Sequence, residues 1–209
     1  MLKRHRLPAA LARGFTLIEL MIVLVILGIV MMVALPSMRT VLLNAQLRTA
    51  AESMVAGMNT ARQEAIRRNE AVRFQTVSNL TSGCALSTTG TSWVVSLADP
   101  SGSCATAPIR LDDTAPANPA IIQKKDGAEG SAGATVTANG SLLIFNGVGR
   151  VNSASTMTSI DIAHATEACE HASTPGPVRC MRVIVSSGGT VKMCDPKVTA
   201  TTDPRRCAA

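Results

Sequence analysis

The stretch RGFTLIELMIVLVILGIVMMVALP, residues 13–36, decides how this chain folds. From Phe15 to Leu35 only Thr16 and Glu19 are plainly polar. A helix rises about 1.5 Å per residue, so the run spans roughly 30 Å, the thickness of a bilayer's hydrocarbon core. Lys3, Arg4, Arg6 and Arg13 precede it, and no acidic residue does. That asymmetry predicts a short cytoplasmic N-terminus and export of everything beyond Pro36.

Glu19 breaks the pattern. An ionisable group near the membrane centre costs on the order of a few kcal/mol, and less toward its edge. No cation follows it before Arg39. Cleavage between Gly14 and Phe15 would create one, because the freed α-amine would sit at membrane depth near Glu19 of the same or a neighbouring molecule. A secretory signal peptide would have a shorter apolar core and a small-x-small cleavage site. A plain anchor would leave Glu19 unpaired.

Gly14-Phe15-Thr16-Leu17-Ile18-Glu19 resembles the prepilin peptidase site of type IV pilins and type II secretion pseudopilins. The resemblance implies removal of residues 1–14 on the cytoplasmic face and N-methylation of the new terminus, Phe15. It also implies that Glu19 guides assembly, and that Gly28 and Pro36 loosen or bend the long helix. The implied location is the bacterial inner membrane, crossed once with the head in the periplasm, and then a pilus or pseudopilus. The implied partners are prepilin peptidase, other pilins or minor pilins and the assembly platform.

The chain has 209 residues, of which about 140 follow the long helix; that suffices for one domain with its own core. Its formal charge is +6, but four of the 20 basic residues precede Gly14, leaving 16 against 14 acidic ones. Net charge therefore argues little about partners. The aromatic residues are Phe15, Phe74, Trp93 and Phe145, so the core must rest on aliphatic side chains and methionine. Six cysteines, all beyond the apolar run, suit an oxidising compartment, and no C-x-x-C spacing supports a zinc ribbon or a thioredoxin-type motif.

Beyond Pro36 a helical pattern continues. Leu47, Ala51, Met54, Met58, Ala61 and Ala65 recur at steps of three and four, which predicts one helix from about Phe15 to Arg68. Pro36 removes a backbone hydrogen bond and predicts a kink. Gly57 reads as a mild defect of about 1 kcal/mol against alanine. The period then changes to two. Candidate strands are residues 72–77, 92–98, 109–111, 120–123, 141–146, 159–163, 180–187 and 189–194, with Ser187-Gly188-Gly189 as a hairpin turn. Residues 100–119 and 124–139, rich in Gly, Ser, Ala and Pro, read as loops.

This order, with ARQEAIRRNEAVRF, NGVGRV and the ending CMRVIVSSGGTVKMCDP…DPRRC, resembles the GspH/FimT branch of minor pilins and pseudopilins. The implied class is α+β: a leader (1–14), a transmembrane and filament-core helix (15–36), its amphipathic continuation (37–68) and a β-rich head (69–209). The implied role is structural, initiating or capping a type IV pilus or a type II secretion pseudopilus, with no cofactor and no small-molecule substrate.

The cysteines form three sequence-local pairs, Cys84 with Cys104, Cys169 with Cys180 and Cys194 with Cys207. Local bridging is the preferred reading among the 15 connectivities that six cysteines allow. His164, Glu167 and His171 would need two helical turns to hold a metal, and a polar loop is the simpler reading, so no metal site is expected. Gly147-Val148-Gly149-Arg150 lacks the Lys-Ser/Thr of a phosphate loop. No Ser-His-Asp or Cys-His set stands out, so catalysis is not expected.

DNA is the rival partner. From Arg179 to Ala209 there are six cations against Asp195 and Asp203, while residues 99–170 carry eight acidic and four basic side chains. Lys192, Lys197, Arg205 and Arg206 are the candidate contacts to phosphate, weak and salt-sensitive without an aromatic platform. In the FimT branch some members bind DNA through a C-terminal Gly-Arg-x-Arg. This chain has Asp203-Pro204-Arg205-Arg206-Cys207 instead.

Overall fold

The computed structural model describes residues 15–109, 118–127, 129, 131, 133–171 and 174–207, without the side chains of 33–37. The leader with Gly14, the side chain of Pro36 and residues 110–111 of the expected 109–111 strand lie outside the described residues. The chain divides into two compact units, Met1–Arg39 and Thr40–Ala209.

One helix, α1, runs Leu17–Arg68. In the first unit the described side chains from Phe15 to Met32 are all exposed. In the second unit the helix carries its stripe of Leu47, Ala51, Met54, Met58, Ala61 and Ala65, each at most 1% exposed. Arg48, Glu52 and Arg67 stay on the wet side, and Arg48 and Glu52 pair at 2.7 Å one turn apart. The helix ends at Asn69, whose φ of 53° is left-handed. Asn69 N–H donates to Ile66 O and Glu70 N–H to Ala65 O, the two bonds of a Schellman cap.

Eight strands follow: β1 Val72–Val77, β2 Ser92–Ser96, β3 Ile121–Lys125, β4 Ala134–Ala138, β5 Leu142–Phe145, β6 Ser159–His164, β7 Met181–Val185 and β8 Val191–Cys194. They form two antiparallel sheets, ordered β3-β2-β1-β5 and β4-β6-β7-β8. The first gives Phe74, Trp93, Val95, Leu143 and Phe145 to the core, the second Val136, Ile160, Ile162 and Val183, and both share it with the helix stripe. Burial of these side chains supplies the main favourable term, at about 25 cal/mol per Å² of apolar area.

Two expectations are corrected here. Residues 124–139, expected to be a loop, contain the end of β3 and all of β4. Val136 and Ala138 face inward, and register with β6 (Val136↔Ile162) holds the strand. A segment of small residues shows little hydrophobic alternation, yet its partner's ladder orders it. Gly57 is also more than a defect. A Cβ there would lie 2.7 Å from Phe74 Cε2 and 3.0 Å from Trp93 Cδ2, so its bare backbone is what lets the rings approach the helix. The Trp93 indole N–H donates to Ser53 Oγ at 3.0 Å, which satisfies its polar edge inside the core.

On the other face of the first sheet, Val77, Val94 and Ile121 form a small second core with Cys84 and Cys104. Lys124 Nζ donates to the carbonyls of Cys104, Ala105 and Thr106 at 2.7, 3.1 and 3.0 Å, tying the following loop to β3. The NGVGR turn is closed by Asn146 Oδ1, which accepts from Val148 and Arg150 N–H, and Arg62 Nε donates to Gly149 O at 3.0 Å. In the β7–β8 hairpin Gly189 takes the left-handed φ of 84° that the turn demands.

Candidate assembly site and C-terminal surface

At the helix start, Thr16 Oγ1 accepts the Glu19 backbone N–H at 3.3 Å. Thr16-Leu17-Ile18-Glu19 is thus the S/T-x-x-E pattern of a capping box, with Thr16 as N-cap and Glu19 at the third helical position. The first turn's unpaired N–H groups also favour a negative side chain there. This local support for Glu19 needs no cation, and the four-residue pattern carries its signal. It does not use up the carboxylate, which remains exposed among exposed apolar neighbours. Gly28 has nothing within 4 Å of where a Cβ would stand. Among the described residues no helix is long and apolar enough to cross a membrane. The fully described apolar part of α1, Leu17–Met32, falls short of the roughly 20 residues a span needs.

In the head the structure bridges Cys84 to Cys104, Cys169 to Cys180 and Cys194 to Cys207. The last bridge holds the C-terminal tail against β8, where Asp195 N–H donates to Arg205 O at 2.8 Å. Of the four candidate DNA contacts, Lys197 pairs with Glu170 and Arg205 pairs in two bonds with Asp203 at 3.1 and 2.8 Å. Arg179 pairs with Asp195 at 2.8 Å and Arg182 with Asp161 at 2.6 Å. Among the described residues Lys192 and Arg206 alone of the six C-terminal cations have no ion-pair partner. The local excess read from the tail is therefore smaller in space than in sequence, because Asp161 and Glu170 come from outside it. That weakens the electrostatic case for nucleic acid.

His164, at the end of β6, turns Nδ1 toward the N–H groups of Thr166 and Glu167, both at 3.2 Å. It closes a turn where a metal site would have needed a helix. Among the described residues no cluster of three His, Cys, Asp or Glu side chains could hold a metal ion.

Several carboxylates are held in their charged form. The Arg205 side chain, then its backbone N–H, pulls Asp203 down to about 2. Arg67 lowers Glu64, the Ser101 N–H lowers Asp99 and Lys197 lowers Glu170. Each binds its proton more weakly folded than unfolded, so the stability it adds is complete above its ordinary value of 3.8 or 4.5 and is lost as pH falls through the folded one. We expect the urea midpoint of the head, followed by Trp93 fluorescence, to be flat from pH 7 to 5 and to drop between about pH 4 and 2. A midpoint unchanged to pH 2 would contradict these pairings.

The family model for the type II transport protein GspH matches residues 50–189, and that for the prokaryotic N-terminal methylation motif matches residues 10–35. No curated protein sequence matches the chain. Two crystal forms of the type IV minor pilin FimU from Pseudomonas aeruginosa PAO1 are similar in structure. One is 17% identical with a TM-score of 0.45, covering 70% of this chain and 87% of that one; the other is 16% identical at 0.44, covering 70% and 90%. Motif and family together point to a membrane-anchored component of a pilus-type assembly, one that meets other pilins and prepilin peptidase. The chain belongs to the GspH family of type II transport proteins, with an N-terminal methylation motif.

Proposed function

We propose that this chain is a structural minor pilin or pseudopilin that initiates or caps a type IV pilus or a type II secretion pseudopilus. Prepilin peptidase cuts between Gly14 and Phe15, Phe15 is N-methylated, and the helix stores the subunit in the inner membrane with its head in the periplasm. The observation that carries the reading is the division of α1. Its second part is consumed by the head's core, while every described side chain from Phe15 to Met32 is exposed and apolar except Thr16, Glu19 and Gly28. An apolar face of that length is stable only in lipid or against other helices. The sequence continues the run to Leu35, long enough to span the bilayer once. Glu19 then meets the α-amine of a neighbour's Phe15 as subunits stack, and the role is to occupy a place in the filament.

Mass spectrometry of the protein purified from its native host tests the processing. The mature chain should begin at Phe15, one methyl heavier than its sequence. Gly14→Leu should keep the leader attached in nearly all molecules, whereas Gly14→Ala should still be cut because alanine is almost as small. Met1 retained in the natural protein, or a start other than Phe15, would overturn the proposal.

A further inference from the structure

The second sheet ends in a strand with one side unused. β8 is the sheet's edge and pairs with β7 alone. Residues of an antiparallel ladder turn their backbone groups alternately to one side and the other. Ser186 N–H donates to Thr190 O at 3.0 Å, so by alternation Lys192 and Cys194 bond to β7 while Val191 and Met193 face outward. Among the described residues neither of those two has a backbone partner there. The returning tail bonds the edge's backbone only at Asp195, its other ties to β8 being side-chain ones, the Cys194–Cys207 bridge and Lys192 Nζ on Arg206 O.

A cavity of about 280 Å³ opens at the same edge, between β8 and α1. Met181 and Met193 line it with Asp195, and Arg48, Arg179 and Arg205 bring three guanidinium groups, the last paired with Asp203. Arg48 uses Nε on Glu52, and Arg179 uses Nη2 on Asp195. A guanidinium has five N–H donors, so both keep several to offer.

We propose that this edge and cavity dock an extended segment of another protein chain that carries a carboxylate. The segment adds as a strand beside β8, trading backbone hydrogen bonds with Val191 and Met193. Its acidic side chain enters the cavity between Arg48 and Arg179, with an apolar neighbour on the two methionines. Ladder bonds supply affinity and the flanking pocket supplies specificity in this mode of recognition, and planar guanidinium groups favour carboxylate. The spare guanidinium N–H donors and the open ladder select this occupant. A nucleic acid would satisfy the arginines but has no strand to offer Val191 and Met193. The site lies wholly within the second unit, Thr40–Ala209, so it stands or falls independently of the filament reading.

The test uses the full chain in detergent micelles. It is screened against a random peptide library on phage, and the selected peptides are added while backbone amide exchange is followed. We expect peptides with Asp or Glu among alternating apolar residues, slowed exchange at Val191 and Met193, and about tenfold weaker binding to Arg48→Gln. Arg48 is exposed on the helix, so that variant keeps its fold, and unchanged exchange elsewhere in β6 and β7 checks this. No selected peptide, unchanged exchange at Val191 and Met193, or equal binding to Arg48→Gln would each overturn the proposal. So would a DNA duplex that slows exchange at Lys192 and Arg206 and excludes the peptides.

Discussion

Glu19→Ala should leave the chain in the membrane and remove it from filaments, lowering the ratio of sheared-filament to membrane protein at least tenfold. Membrane retention follows from solvation, since deleting a carboxylate from an apolar run makes insertion easier by up to a few kcal/mol. Losing a carboxylate from the helix's first turn works the other way but amounts to about 0.3–1 kcal/mol, and the Thr16 cap on the backbone N–H of residue 19 is kept. Assembly behaves differently. Two opposite charges about 4 Å apart attract by about 4 kcal/mol at an effective dielectric constant of about 20, against about 1 in water. Desolvation consumes part of that. Because about 1.4 kcal/mol is tenfold in an equilibrium, even a third of the attraction gives the stated loss. Thr16→Ala separates the two roles of this corner. It removes the Oγ1 that caps the Glu19 N–H but keeps the carboxylate, so incorporation should stay near normal. Unchanged incorporation of Glu19→Ala, measured by quantitative immunoblot, would sink the charge-pairing mechanism. Equal loss from Thr16→Ala would reassign Glu19 to capping.

The long helix was legible because its two signals are strong and do not compete. An unbroken apolar run gives way to a stripe at steps of three and four, and the structure carries both on Leu17–Arg68. Strands with Val, Ile and Phe in alternation were equally plain, as at Val72–Val77 and Met181–Val185. β4 was not, because Ala134-Thr135-Val136-Thr137-Ala138 has one large apolar residue and owes its conformation to β6. Propensity cannot show a strand that a partner imposes. The same limit applies to charge. Lys197 and Arg182 look free along the tail, but Glu170 and Asp161 reach them across loops and strands. The separation of Glu19's local cap from its exposed carboxylate was present in the letters as T-x-x-E, and only the helix start at Leu17 gave it meaning.

Gly57 shows how far packing overrides local preference, and its substitution should cost the head more than any helix scale allows. Alanine is better than glycine in a helix by about 1 kcal/mol, so propensity alone predicts that Gly57→Ala stabilises. The new Cβ would sit 2.7 Å from Phe74 Cε2 and 3.0 Å from Trp93 Cε2, against an optimum of about 3.5–4.0 Å for carbon pairs. Neither ring can yield cheaply. Phe74 is fully buried, its ring centroid is 5.7 Å from that of Trp93, and the indole is tethered to Ser53 on the same helix. Overpacking of this kind costs about 1–3 kcal/mol, enough to cancel the helix gain and, with two buried rings in the way, to exceed it. The net loss of up to about 2 kcal/mol should lower the Tm of Gly57→Ala by up to about 8 °C, taking 2–4 °C per kcal/mol for a domain near this size. Gly57→Val adds two methyl groups and a stiff χ1 in the same space, and should lower Tm by more than about 10 °C or leave the head unfolded. Near-UV circular dichroism and Trp93 emission follow the loss, since the displaced ring is the chain's only tryptophan. Under the proposed processing, leader removal provides an internal control, because a cut between Gly14 and Phe15 should proceed normally in both variants. A Tm raised by Gly57→Ala would mean that the rings do not need the bare backbone, and that the glycine is after all only a weak point in the helix.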